Sequence, residues 1–223
     1  MAAKTIKMFP IISKLYCLGC ETELMVRRRP HAVYGGGFVV TDCSTHKVVF
    51  KVDGCDVVGK RNELILRHGD GHPLLLMRRK GGGMVEALSF NKVWKGYRLD
   101  LEGSGGGSLL KKQLLFTLKE SSSSSSSSSC CFAKEGPIRI TTQPRTFTNK
   151  SWDFEIKGYF PDKSSSILDS KGNVVGFTKE LDQFMDSKDV YHVLVNPGID
   201  QAFVFAVIAI LDYIYGESTI CSS

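Results

Sequence analysis

The residues best suited to chemistry in this chain are cations grouped on either side of a glycine run. Arg78-Arg79-Lys80 precedes Gly81-Gly82-Gly83, and Lys92, Lys95 and Arg98 follow within twenty residues. Arginine grips a phosphate with two parallel N–H donors and lysine acts as a point charge, so such a set suits an anionic headgroup. The competing reading is solubilising charge around a loop. Arg27-Arg28-Arg29 forms a second cluster ahead of Pro30. It reads as a strand start or a weak nuclear signal. Cys17-Leu18-Gly19-Cys20 is a lone C-x-x-C, without the two further ligands that a structural zinc site requires. Its thiols, and those of Cys130-Cys131, read as free, with acylation as the alternative. His68 and His72 flank Gly69-Asp70-Gly71 and so belong to a turn rather than to one helix face. Trp94 and Tyr97 beside Lys95 and Arg98 suit core or rim packing better than base stacking.

No catalytic constellation stands out. The chain lacks a G-x-S-x-G elbow, an H-E-x-x-H pair, a phosphate-binding loop and a dinucleotide fingerprint. The expectation is a protein without enzymatic activity, cofactor or metal.

The elements that must position these residues are short and extended. Runs such as Gly37–Thr41, Lys47–Val52, Leu64–Arg67, Leu74–Arg78, Ile138–Thr142, Val174–Thr178 and Val190–Val195 carry β-type patterning between turn residues. About ten or more strands at short spacing argue for an all-β sandwich or barrel. The C-terminal part differs. Asp200 is a good N-cap and Gly216 a good C′ residue, and the chain from Ala202 to Leu211 is apolar on every side. Such a helix belongs inside a core or a membrane. Spanning a bilayer takes about 20 apolar residues, and Asp212 ends this run well short of that. A core helix follows, and among strands the economical arrangement is a closed barrel with the helix through its middle.

Composition agrees with one packed domain. The chain has 223 residues, 42% of them hydrophobic and 23% charged, which excludes disorder over most of its length, collagen and a multi-span membrane protein. Two stretches have no apolar surface with which to pack: the Gly-Ser segment 103–108, and the serine run within 120–131. Both read as flexible loops inside the domain. Residues 1–100 hold 17 Lys/Arg against 9 Asp/Glu, a surplus of +8, within a total of +6. The asymmetry favours an anionic partner. No secretory signal is legible at the N-terminus, so an intracellular setting is expected, cytoplasmic or nuclear and peripheral to the plasma membrane, with reduced cysteines.

Several stretches resemble the plant LURP-one-related family. They are Lys60-Arg61-Asn62-Glu63-Leu64, Trp94-Lys95-Gly96-Tyr97-Arg98, Phe154-Glu155-Ile156-Lys157-Gly158-Tyr159-Phe160 and, most specific, Val190 to Phe203 with its Asn196-Pro197-Gly198-Ile199-Asp200-Gln201-Ala202-Phe203 core. The resemblance implies a tubby-like fold, a closed antiparallel barrel of about 12 strands around the C-terminal helix. It places that barrel at residues 23–216, between an N-terminal extension (1–22) and a tail (217–223). It also implies kinship with phospholipid scramblases and an association of some members with plant defence. The functional expectation is a binding module for phosphoinositides, an anionic membrane surface or a protein partner, with Arg78, Arg79, Lys80, Lys92, Lys95 and Arg98 as ligand-binding residues. The alternatives are a nuclear DNA-associated regulator and a scramblase-like membrane protein.

Overall fold

The computed structural model describes residues 7–29, 36–54, 58, 62–80, 93–100, 111–120, 137–146, 150–179 and 189–215. Alternation of apolar and polar side chains sets the architecture. In β12 (Val190–Val195) Tyr191, Val193 and Val195 are buried while Val190, His192 and Leu194 are only partly so. The same period of two runs through β1 (Thr22–Arg28), β8 (Ile138–Thr142) and β9 (Phe154–Lys157). A sheet with one greasy face must cover it, and this one does so by curling shut.

The remaining strands are β2 (Gly37–Asp42), β3 (Val48–Asp53), β4 (Glu63–His68), β5 (Pro73–Lys80), β6 (Val93–Asp100), β7 (Lys111–Glu120), β10 (Ser166–Asp169) and β11 (Val174–Lys179). Each pairs antiparallel with its neighbours in sequence, and β1 pairs with β12 to close a barrel of 12 strands. Closure leaves no exposed sheet edge. The sequence pattern did not announce β6, and Arg27-Arg28-Arg29, read as a strand start, stands at the end of β1 instead. Glu120, expected to open a flexible loop, ends β7. The Gly-Ser segment 103–108 and residues 121–131 lie outside the described residues, as do the tail 217–223 and Gly216.

Twelve strands enclose a lumen wide enough for a helix, whereas eight fill theirs with side chains. Helix α1 (Gln201–Ile214) occupies it, and every residue from Gln201 to Asp212 is buried. Asp200 caps its start as expected, accepting from the Phe203 amide at 3.3 Å. No helix among the described residues is long and apolar enough to cross a membrane.

The helix also reports the slope of the strands. Arg79, Trp94, Leu118, Ile140 and Phe154 stand in one cross-strand row. Trp94 packs 4.8 Å from Tyr213 at the end of the helix, and Phe154 packs 5.0 Å from Phe203 near its start. Those contacts lie about 15 Å apart along the helix. The row crosses from β6 to β9, about 14 Å around the wall at a strand spacing of about 4.8 Å. The strands therefore tilt strongly, as barrel closure requires.

The N-terminal segment is docked on the barrel rather than loose. Phe9 bridges to Ile199 and Cys17 to Asp200, and the Phe9 amide donates to the Gly198 carbonyl at 2.8 Å. The Asp200 Oδ2 accepts from the amides of Ile11, Ile12 and Ser13 at 3.0, 2.6 and 2.9 Å. At the opposite end Asp212 puts a carboxylate at the negative pole of the helix, and the Arg28 Nε pairs with it at 3.2 Å in a buried setting.

Candidate basic surface on the barrel wall

Strand parity decides where the candidate cations go. On β5, Met77 is buried against the core, so Arg78 and Lys80 face outward while Arg79 lies on the lumen side, opposite buried Trp94. On β6, Lys95 sits opposite Arg78 and shares its outward face. Arg98 sits opposite buried Leu75 on the inner side, and its guanidinium donates to the Ile12 carbonyl, tying the docked N-terminal segment to the wall. Three of the expected six, Arg78, Lys80 and Lys95, therefore share one surface. Arg79 and Arg98 are turned away from it, and Lys92 lies outside the described residues.

Two further cations complete the surface. Lys119 of β7 stands opposite Val93 of β6 and Arg139 of β8. A row then runs Lys80, Val93, Lys119, Arg139, Glu155 from β5 to β9, with Arg78, Lys95, Thr117 and Thr141 in the row beside it. Because the strands tilt, the band climbs the wall obliquely. Lys119 and Arg139 were outside the sequence reading. Alternation in Lys111–Glu120 and Ile138–Thr142 marks both as outward-facing, but their register with β6 cannot be read along the chain.

Like charges directly opposite each other on neighbouring strands repel. Two acids relieve part of this. Arg78 Nε donates to Glu63 Oε1 at 2.7 Å, and Arg139 Nε donates to Glu155 Oε2 at 3.0 Å. Lys95 and Lys119 have no acidic partner among the described residues. They are diagonal neighbours across β6 and β7, where side chains lie roughly 7–8 Å apart. That spacing suits two ammonium groups sharing one anion. Beyond Arg139 the band ends on Trp152, whose ring carries Lys150 Nζ 4.4 Å and Arg139 Cζ 5.6 Å from its centroid.

The other motifs resolve differently. Cys17 is buried, and burial together with the nearby Asp200 carboxylate pushes its thiol up to about 11, whereas Cys20 is exposed. No group of three or more His, Cys, Asp or Glu is placed to hold a metal among the described residues. His68 and Asp70 pair at 3.0 Å within the hairpin turn.

The LURP-one-related family model matches residues 22–212. The protein LURP-one-related 6 of Arabidopsis thaliana is 49% identical over 211 residues, covering 95% of this chain and 98% of that one. LURP-one-related 16 of the same plant is 42% identical over 220 residues, covering 95% of each. A crystal structure of an Arabidopsis thaliana protein superimposes with a TM-score of 0.60 over 92% of this chain and 98% of its own, at 20% identity, a likeness of fold.

Proposed function

The chain belongs to the LURP-one-related family, and we propose that it is a non-enzymatic module that docks on anionic membrane surfaces, phosphoinositide headgroups included, through the basic band of its wall. The observation that carries this reading is the diagonal pair Lys95 and Lys119, which have no acidic partner among the described residues and stand beside Arg78, Lys80 and Arg139 on one outward face. Near an anionic leaflet each such cation contributes about 1 kcal/mol. Lys95, Lys119 and Lys150 together would give about 3 kcal/mol, roughly a hundredfold in partitioning. Trp152 between two cations suits the headgroup zone, where amphipathic rings settle. A non-enzymatic role is supported by the lumen, where a barrel would hold a substrate and where α1 sits instead. The defence role implied by the family would then be exercised close to a membrane, with a protein partner recruited there.

Co-sedimentation tests this. Vesicles of phosphatidylcholine containing phosphatidylserine and a phosphoinositide should retain the protein at low salt and release it at high salt. Phosphatidylcholine alone should not retain it, and the double variant Lys95→Glu/Lys119→Glu should lose retention while keeping its circular dichroism spectrum. Equal retention on neutral and anionic vesicles would sink the reading. A duplex DNA mobility shift abolished by the same variant would reassign the band to nucleic acid.

A further inference from the structure

A second recognition surface lies where the helix enters the barrel, and it shares no residue with the basic band. A cleft of about 310 Å³ opens there between the docked N-terminal segment, the turn joining β10 to β11, and the link from β12 to α1. That volume sits at the small end of ligand sites. Phe9, Val175, Pro197 and Ile199 supply apolar lining, and Val174 at the start of β11 is 38% exposed. Asn196, Pro197 and Ile199, from the most specific stretch of the sequence, thus form one wall. The backbone hydrogen bond from Phe9 to Gly198 fastens the opposing segment to it.

The polar groups of the cleft sort by charge. The Asp169 carboxylate is already engaged by its own turn: Oδ1 accepts from the amides of Lys171 and Asn173 at 2.8 and 2.9 Å, and Oδ2 from Asn173 Nδ2 at 2.9 Å. Asn196 Nδ2 is likewise committed to the Val174 carbonyl. Two lysines remain, Lys7 from the N-terminal segment and Lys171 from the turn. Neither has a carboxylate partner among the described residues, and the Lys7 Nζ rests 5.2 Å from the centre of the Phe9 ring. The amide donors hold the Asp169 carboxylate in place without cancelling its charge, so two lysines against one carboxylate leave the cleft a net charge of +1, which selects for an apolar body bearing one negative charge.

We propose that this cleft binds a small organic acid, a carboxylate on a compact or flat apolar skeleton, with the skeleton against Phe9, Val175 and Ile199 and the carboxylate held by Lys171 and Lys7. The site needs the docked N-terminal segment for one wall and one of its two cations, so the segment is part of the binding apparatus as well as a cover for the barrel end.

The test uses the full chain and 2-naphthoate as probe, with 2-naphthylmethanol as its uncharged counterpart, followed by amide chemical shifts. Naphthoate should shift Val174, Val175 and Ile199 saturably, and the alcohol should bind about tenfold or more weaker. Lys171→Glu should weaken naphthoate by about tenfold or more. The turn should survive that change, because its hydrogen bonds use the backbone of residue 171 and not the side chain. Val174→Trp, a change at an exposed position, should fill the cleft and abolish the shifts. Absence of saturable shifts, equal affinity for acid and alcohol, or wild-type binding by both variants would each overturn the assignment. Vesicle retention by Lys171→Glu should match the wild type, which separates this site from the basic band.

Discussion

Asp200 serves two elements with one buried carboxylate, one oxygen on three consecutive amides of the N-terminal segment and the other on the Phe203 amide. Removing it leaves a helix start uncapped, a loss of about 1 kcal/mol, and strands buried donors at about 1–3 kcal/mol in total. Asp200→Ala should therefore lower unfolding stability by about 3 kcal/mol in urea titrations, and Asp200→Asn by less. Burial raises the Asp200 pKa above the ordinary carboxylate value, against the pull of the amide donors. A raised folded pKa means that the folded state holds the proton more tightly. Its contribution to stability thus falls as pH climbs from the unfolded pKa to the folded one, and is flat above that. The stability advantage of wild type over Asp200→Asn should shrink over that window; growth with pH would contradict the assignment. The C-x-x-C pair offers a simpler check. With its thiol pushed up to about 11 and buried, Cys17 should resist iodoacetamide at neutral pH in the native state while exposed Cys20 is alkylated, as read by peptide mass spectrometry.

Among the elements, β6 carries the most constraint. Gly96 faces the lumen, and a Cβ there would lie 2.3 Å from Cε1 of Phe116, whose ring packs edge-on at 5.5 Å to Phe203 of the helix. The glycine makes room for a ring that fills the space between wall and helix. Gly96→Ala should cost about 1–3 kcal/mol through overpacking. Gly176→Ala, where the nearest atom is a Val204 methyl at 3.3 Å, should be nearly neutral, since alanine also relieves the entropy cost of glycine in a strand. Similar losses in thermal melts of the two variants would refute this. The same glycine explains why β6 was hard to read in sequence. A strand of Val, Trp, Lys, Gly, Tyr and Arg interrupts its alternation at the point where packing forbids a side chain. β1 hid behind Arg27-Arg28-Arg29, in which Arg28 is an inward partner for Asp212 and not surface charge.

For the molecule as a whole, the helix is the core around which the wall closes, and closure joins β1 to β12 from opposite ends of the chain. Phe203→Asp would bury an uncompensated carboxylate between Phe116 and Phe154, and should abolish soluble, cooperatively folding protein. A soluble variant with a normal melting transition would contradict the enclosed helix. The amino-acid sequence alone determined most of the strand content, the cap and extent of the helix, its need to be enclosed and the family. These follow from local periodicity and from a segment with no polar face to offer water. Only the tertiary structure decided which cations act together. It set Lys119 and Arg139 beside Lys95, turned Arg79 and Arg98 inward, and brought Lys7 to Lys171. Register, tilt and closure fix those neighbours, and all three arise from pairing between strands, which no single stretch of chain encodes.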